Sequence, residues 1–255
     1  MNLTKYEIPL GSLPLKAEQV IKQKTIESEF LNFQYSPQIL DTNLEDGIYK
    51  NKNNSYFIQC TTNMRGVVPQ MIDWWFIWHL PSSERYRLWH PRDHLSARLN
   101  SDISQEDISK KKYIGHNSYV EEYIGKKLYR LCITFEEPEG FGFKDLDHDH
   151  DFTAVCASVT DTLTGVNIAK LVHYVKKEGS DSIMKSLFWM GVNLSHSNAL
   201  KNFFVKMLSQ IRPLKKILLN DRAAKDLLIH CYEEMNHLPK FLPSIYEDMT
   251  IQKGG

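Results

Sequence analysis

Hydrophobic and polar positions along this chain follow two regimes. In the first, short apolar-rich runs bounded by turn-forming residues predict strands at Tyr56 to Thr61, Ser118 to Tyr123, Lys127 to Phe135, Thr153 to Asp161 and Val166 to Val175. The last two are joined by Asp161-Thr162-Leu163-Thr164-Gly165, which predicts an antiparallel hairpin. After Gly191 the period changes. Leu200, Phe203, Phe204, Met207, Leu208 and Ile211 recur at helical spacing, Pro213 interrupts, and Asp221 to Leu238 places Leu227, Leu228, Cys231 and Met235 on related helical faces. Strands first and helices last predict an α+β domain in which a curved antiparallel sheet closes on a long C-terminal helix.

The flanking regions are less regular. Leu13 to Phe33 has mixed helical character, with Ala17, Val20, Ile21 and Ile26 at near-helical spacing, and a polar stretch follows at Lys50 to Ser55. Residues 1–60 are therefore expected to form a small N-terminal helical or irregular attachment to a main domain over 61–255. Pro69 to His79 is dense in Trp and Met and stops at Pro81-Ser82-Ser83, where a new helix can be capped. Asp102 to Lys112 is charged without an apolar face and reads as a surface loop or short surface helix.

Charge and composition narrow the function classes. With 31 Lys+Arg against 31 Asp+Glu, the chain lacks the basic excess of a nucleic-acid binder. Apolar windows such as Met71 to Leu80 are far shorter than the roughly 20 residues of a membrane helix. Met1 to Leu13 carries Lys5 and Glu7 among scattered apolar residues and does not read as a signal peptide. Cys60, Cys132, Cys156 and Cys231 lie far apart with no C-x-x-C pair, which suits reduced thiols in a cytoplasmic chain, so any metal must use His and carboxylates. No Gly-rich phosphate loop, G-x-S-x-G elbow or H-E-x-x-H motif occurs. Assembly into a homo-oligomer stays open.

Three segments can carry chemistry. His230 and Glu234, four apart on a predicted helix, lie one above the other and can face the same ion, although an ordinary surface pair is the commoner meaning of this spacing. His237 is less attractive because Pro239 ends the helix beside it. The second segment follows Trp74, Trp75 and Trp78, where His90 and His94 bracket Pro91 and offer imidazole ligands in a partly apolar site, or else sit hydrogen-bonded in an aromatic core. In the third, alternation along a strand places Val120, Glu122 and Ile124 on one face; Glu121 is then the solvent-side residue unless a bulge swaps the two. His173, between Val172 and Tyr174, is either a satisfied sheet residue or an acid/base group facing a cavity. Asp147, His148, Asp149 and His150 read as a hydrated loop.

Tyr86 to His94, the Glu122-Tyr123-Ile124-Gly125 strand and the late His230-x-x-x-Glu234 helix together resemble the diacetylphloroglucinol and phloretin hydrolase family, over about residues 60 to 240. The resemblance implies a helix-grip fold, similar to START-like lipid-transfer and pollen-allergen folds. It also implies a Zn2+ ion held by His94, Glu122, His230 and Glu234, with His90 and Glu121 as the alternative choices. The activity implied is cleavage of the carbon–carbon bond between an acyl group and a phloroglucinol-type ring in a small aromatic ketone. Tyr86 and His173 resemble the family's active-site tyrosine and strand histidine and would manage the proton traffic, while Trp75 and Trp189, with Trp74 and Trp78, would stack the substrate. Where the family's diacetylphloroglucinol hydrolase has a second pocket tyrosine, this chain has Phe188-Trp189, which removes or relocates a phenolic donor and bears on the substrate more than on the metal. A helix-grip fold can also serve as a non-catalytic carrier of an apolar aromatic ligand.

Overall fold

A computed structural model describes residues 3–100, 113–144, 151–209 and 219–251 of the chain. Its centre is a nine-stranded sheet. The strands are β1 (Ile26–Glu27), β2 (Gly47–Lys50), β3 (Tyr56–Met64), β4 (His94–Leu99), β5 (Asn117–Ile124), β6 (Lys127–Glu136), β7 (Phe152–Asp161), β8 (Val166–Glu178) and β9 (Asp181–His196). They lie in the order β1-β2-β3-β9-β8-β7-β6-β5-β4, antiparallel throughout except for the parallel β1–β2 pair. The helices are α1 (Leu15–Lys22), α2 (Ser36–Leu40), α3 (Pro69–Trp78), α4 (Ser83–Trp89), α5 (Ala199–Ser209), α6 (Asp221–His237) and α7 (Leu242–Ile251). α6 touches β2 and β3 on one side and β5 on the other. Because those strands sit at opposite ends of the sheet order, the sheet must curl around the helix. This is the helix-grip arrangement.

Local chemistry accounts for the elements. The β7–β8 turn closes with the Gly165 N–H donating to the Asp161 carbonyl at 2.8 Å and the Thr164 N–H to the Asp161 carboxylate, and Gly165 takes φ +71°. α6 starts where the Asn220 side chain accepts from the Ala223 N–H at 3.0 Å, and it stops before Pro239. α3 opens with Pro69 and is apolar on every side, so most of it is buried. β9 escapes a reading by alternation because Leu187, Phe188 and Trp189 are buried in succession, one face against α6 and the other under the N-terminal segment.

The two sheet faces carry separate cores. The concave one joins α3, α4 and α6. The opposite one gathers Ile39, Phe57, Phe141, Val172, Leu187 and Trp189, with Phe30 and Phe33 laid over them. Residues before 61 thus contribute β1, β2 and most of β3 to the sheet and cover its outer face; the boundary expected at residue 60 falls inside β3, because the apolar backs of β3 and β9 need a cover that the N-terminal segment supplies. α5 also differs from expectation. Its apolar positions Leu200, Phe203, Phe204, Met207 and Leu208 are 43–67% exposed rather than packed. Cys60 and Cys231, remote in sequence, approach to 3.2 Å between β3 and α6 as free thiols. Asp102 to Lys112, the cluster Asp147 to His150, Ile211 and Pro213 lie outside the described residues. No helix among the described residues is long and apolar enough to cross a membrane.

Candidate metal centre

Pro91 organises the first half of the site. It cannot continue α4, and it drives His90 into an extended conformation (φ −139°, ψ 86°), so the chain turns and enters β4 at His94. His94 and Glu122 are then direct cross-strand partners on β4 and β5, and a bulge between His94 and Ser96 resets the register just beyond them. Alternation along β5 buries Ser118, Val120 and Glu122, whereas Glu121 faces away and pairs with Arg130 at 2.7 Å. α6 closes the site from above, with His230 and Glu234 one turn apart and both buried.

His94, His230 and Glu234 group closely enough to share an ion, and Glu122 lies against both imidazoles. His94 Nε2 lies 3.3 Å from His230 Nε2 and 3.5 Å from both Glu122 Oε2 and Glu234 Oε2; His230 Nε2 lies 3.9 Å from each carboxylate. Ligand atoms about 2.1 Å from a tetrahedral ion stand about 3.4 Å apart, close to the 3.3–3.5 Å contacts made by His94, whereas the carboxylates stand farther from His230, at 3.9 Å. The His94 Nδ1–H donates to the Tyr86 carbonyl at 3.0 Å, which leaves the Nε2 lone pair facing inward. Burial outweighs the pull of Glu122 and lowers the His94 pKa to about 3, keeping that imidazole neutral. His230 goes the other way: burial disfavours its charged form, but Asp93, Glu234 and Glu122 raise its pKa to about 9. Burial also raises the pKa of Glu234. Among the described residues no Lys or Arg pairs with Glu122 or Glu234; His230 is the positive partner they face, and the imidazole and carboxylate donors are of the kind that could hold a metal ion.

His90 and Asp93 occupy a neighbouring layer. Asp93 Oδ2 stands 3.8 Å from His230 Nδ1, beyond hydrogen-bond reach but close enough to attract its charge. His90 Nδ1 accepts from the Asp93 N–H, and its Nε2 faces Glu233 at 3.3 Å. His90, Asp93 and His230 can also group around an ion, yet Arg92 already bridges Asp93 and Glu233 there. The inner set His94, His230 and Glu234, with Glu122 against both imidazoles, has no Lys or Arg paired with it among the described residues, and His230 is its own cationic partner.

The cluster opens into a cavity of about 130 Å³. Tyr86 lines it, stacks on His94 at 3.8 Å between ring centres and donates its hydroxyl to Glu122. Burial and the Glu122 charge hold that phenol well above its usual pKa. His173 also lines the cavity, with Nδ1 2.9 Å from Ser186 Oγ, and burial lowers its pKa to about 3. The expected tryptophan wall is not there. Trp189 points to the opposite face of β9, where its Nε1–H donates to the Leu31 carbonyl and its ring packs on Phe57; Phe188, its neighbour, faces the cavity instead. Trp75 is fully buried against His79, Trp89 and Phe241, and the walls nearest the cluster are Phe76 and Trp89. His79 also reaches the cavity, with its Nδ1–H donating to the Trp75 carbonyl at 2.7 Å. It stands in the same aromatic run as Trp75 and Trp78, and no spacing signal marks it.

A curled sheet gripping a helix, with a buried cluster of two histidines and two glutamates that could hold a metal ion at the wall of an apolar cavity, defines a helix-grip protein with a small-molecule cavity. The chain belongs to the DAPG hydrolase family: residues 35–247 match the family model described as the DAPG hydrolase PhiG domain. It is 28% identical over 200 residues to a 2,4-diacetylphloroglucinol hydrolase of a Pseudomonas species, covering 75% of this chain and 67% of that protein. A second protein of that name, from Pseudomonas protegens, is 28% identical over 75% of this chain and 64% of its own length. The phloretin hydrolase of Eubacterium ramulus is 27% identical over 193 residues, 74% of this chain and 66% of its own. The chain thus spans about two thirds of the length of these relatives. Among solved structures, Ara h 8.0201 aligns over 69% of this chain and 99% of its own at 9% identity and a TM-score of 0.35. That score carries no weight, and the fold assignment rests on the strand order and the gripped helix.

Proposed function

We propose that this chain is a zinc-dependent hydrolase that cleaves the carbon–carbon bond between an acyl group and a phloroglucinol-type ring. The observation that carries the reading is the convergence of His94, Glu122, His230 and Glu234 beside Tyr86 in a cavity otherwise apolar, in a chain of the DAPG hydrolase family. A zinc ion held by those four residues would supply a Lewis acid for the acyl carbonyl and water of lowered pKa. The remaining chemistry falls to the protein. The ring must first become a keto tautomer, with a proton moved from a ring hydroxyl to the carbon that bears the acyl group. His173, neutral and lining the cavity, accepts and returns that proton. Water then adds to the acyl carbonyl carbon and the bond to the ring breaks. Its electron pair passes into the ring as an enolate, and the products are a carboxylic acid and the deacylated phenol. Tyr86 keeps its proton near neutral pH, so it serves as a hydrogen-bond donor to developing oxygen charge rather than as a base. Apolar walls exclude bulk water from the polar end.

Protein purified without added metal should contain one zinc per chain and should release acid from an acyl-phloroglucinol; chelation should abolish turnover. Metal-free protein with full turnover would defeat the reading. The choice of ligands is tested separately. His94→Ala and Glu122→Ala should lose zinc, while His90→Ala and Glu121→Ala should retain at least half of it, as measured by elemental analysis. The reverse pattern would shift the site to the outer layer.

A further inference from the structure

The carboxylates and imidazoles of the cavity lining gather toward one end, and the contacts between β3 and α6 show which end that is. Cys60 meets Cys231, and Tyr56 donates its hydroxyl to Asp221 at 2.7 Å, so β3 runs alongside the helix. Sheet register extends this alignment across the floor. Cys60, Ser186 and His173 form one row, level with His230 and Glu234, whereas Tyr56, Met190 and Ala169 form another, level with the first turn of α6. Between the two rows β8 travels four residues, about 13 Å. On the helix side, His230 to Ala223 is seven residues, about 10 Å.

All the carboxylates and imidazoles that line the cavity, and Tyr86, belong to the polar end. Toward the first turn of α6 the wall is formed by Ile168, Ala169, Met190, Leu219, Ala223 and Leu227, with the Tyr129 phenol near Asp226 as its polar member. Several of these, Ile168, Met190, Ala223 and Leu227 among them, are half-buried, whereas Tyr86, His173 and His230 are buried, so the apolar end is also the more open one. An acetyl group would leave this stretch unfilled.

Resting on the proposed acyl-phenol hydrolysis, we infer that the substrate is a phenolic ketone with a long apolar acyl chain. The hydroxylated ring sits among His79, Tyr86 and His173, and a tail of about eight carbons lies along α6 toward Ala223. Burial of each methylene in such a channel favours association by roughly three- to fourfold. The chain-length effect ends where the tail passes Ala223 and meets water.

The test is a series of monoacylphloroglucinols from acetyl to dodecanoyl, assayed with the zinc-loaded full chain. kcat/KM should rise by at least tenfold from acetyl to octanoyl and level off beyond. Ala223→Phe and, independently, Leu227→Trp should lower the octanoyl-to-acetyl ratio at least fivefold, a ratio that a loss of folded protein does not change. Equal or better turnover of the acetyl compound by the unaltered chain would overturn the inference. If no member of the series is cleaved, the hydrolase reading fails, and calorimetric titration with octylphloroglucinol and with phloroglucinol then decides the channel on its own. At least tenfold tighter binding of the octyl compound, lost in Ala223→Phe, would support it, and equal affinity would overturn it.

Discussion

His230→Ala and Glu234→Ala should each strip the protein of zinc and reduce kcat/KM by roughly three orders of magnitude or more, at the upper end of what removal of a key electrostatic stabiliser costs. Each substitution removes one member of the group His94, His230 and Glu234, and the two that remain, with Glu122, are too few to enclose an ion. The two variants should differ in the metal-free state. Without an ion, Glu234 is a buried carboxylate whose charge is opposed by burial, so its removal should leave the melting temperature of chelated protein unchanged or higher. Loss of His230 deprives Asp93, Glu122 and Glu234 of their shared cation and should lower it. Elemental analysis, turnover and thermal melting with and without chelator read all three quantities. Full zinc retention in both variants would refute the ligand assignment, and a fall in stability alone would reduce the cluster to a structural ion network.

Tyr86→Phe should fold, keep its zinc and lose roughly two to four orders of magnitude in kcat, the usual range for a group that donates or moves a proton. Phenylalanine preserves the ring that stacks on His94 and removes only the hydroxyl that donates to Glu122. Two roles are thereby separable. If the hydroxyl serves mainly to hold Glu122, zinc affinity falls by about 10- to 100-fold and kcat recovers at saturating metal. If it acts on the substrate, affinity holds and kcat stays low. His173→Ala gives the companion measurement: a large fall in kcat with zinc retained is expected, and turnover within a few-fold of the parent would end its catalytic role. Metal content, melting temperature and turnover should be read on the same preparations.

Features that depend on near neighbours were legible in the sequence, because strand and helix periods direct side chains within a few residues. Four-residue spacing in α6 sets His230 over Glu234, and the Asp161 to Gly165 turn pairs β7 with β8. Alternation in β5 favours Glu122 over Glu121 for the buried face, a choice open to reversal by a bulge until the structure placed Glu122 inside. The family resemblance added which of these candidates to group. Contacts across the chain were decided by the tertiary structure alone. His94 and His230 meet although 136 residues apart, Cys60 lies against Cys231 from 171 residues away, and Phe188 rather than Trp189 faces the cavity. The reason in the last case is that β9 is buried on both sides. An apolar run covered on two faces carries no periodic mark of which residue looks inward, and the answer comes only from what packs above and below: α6 and the concave core on one face, Phe33 and the N-terminal segment on the other.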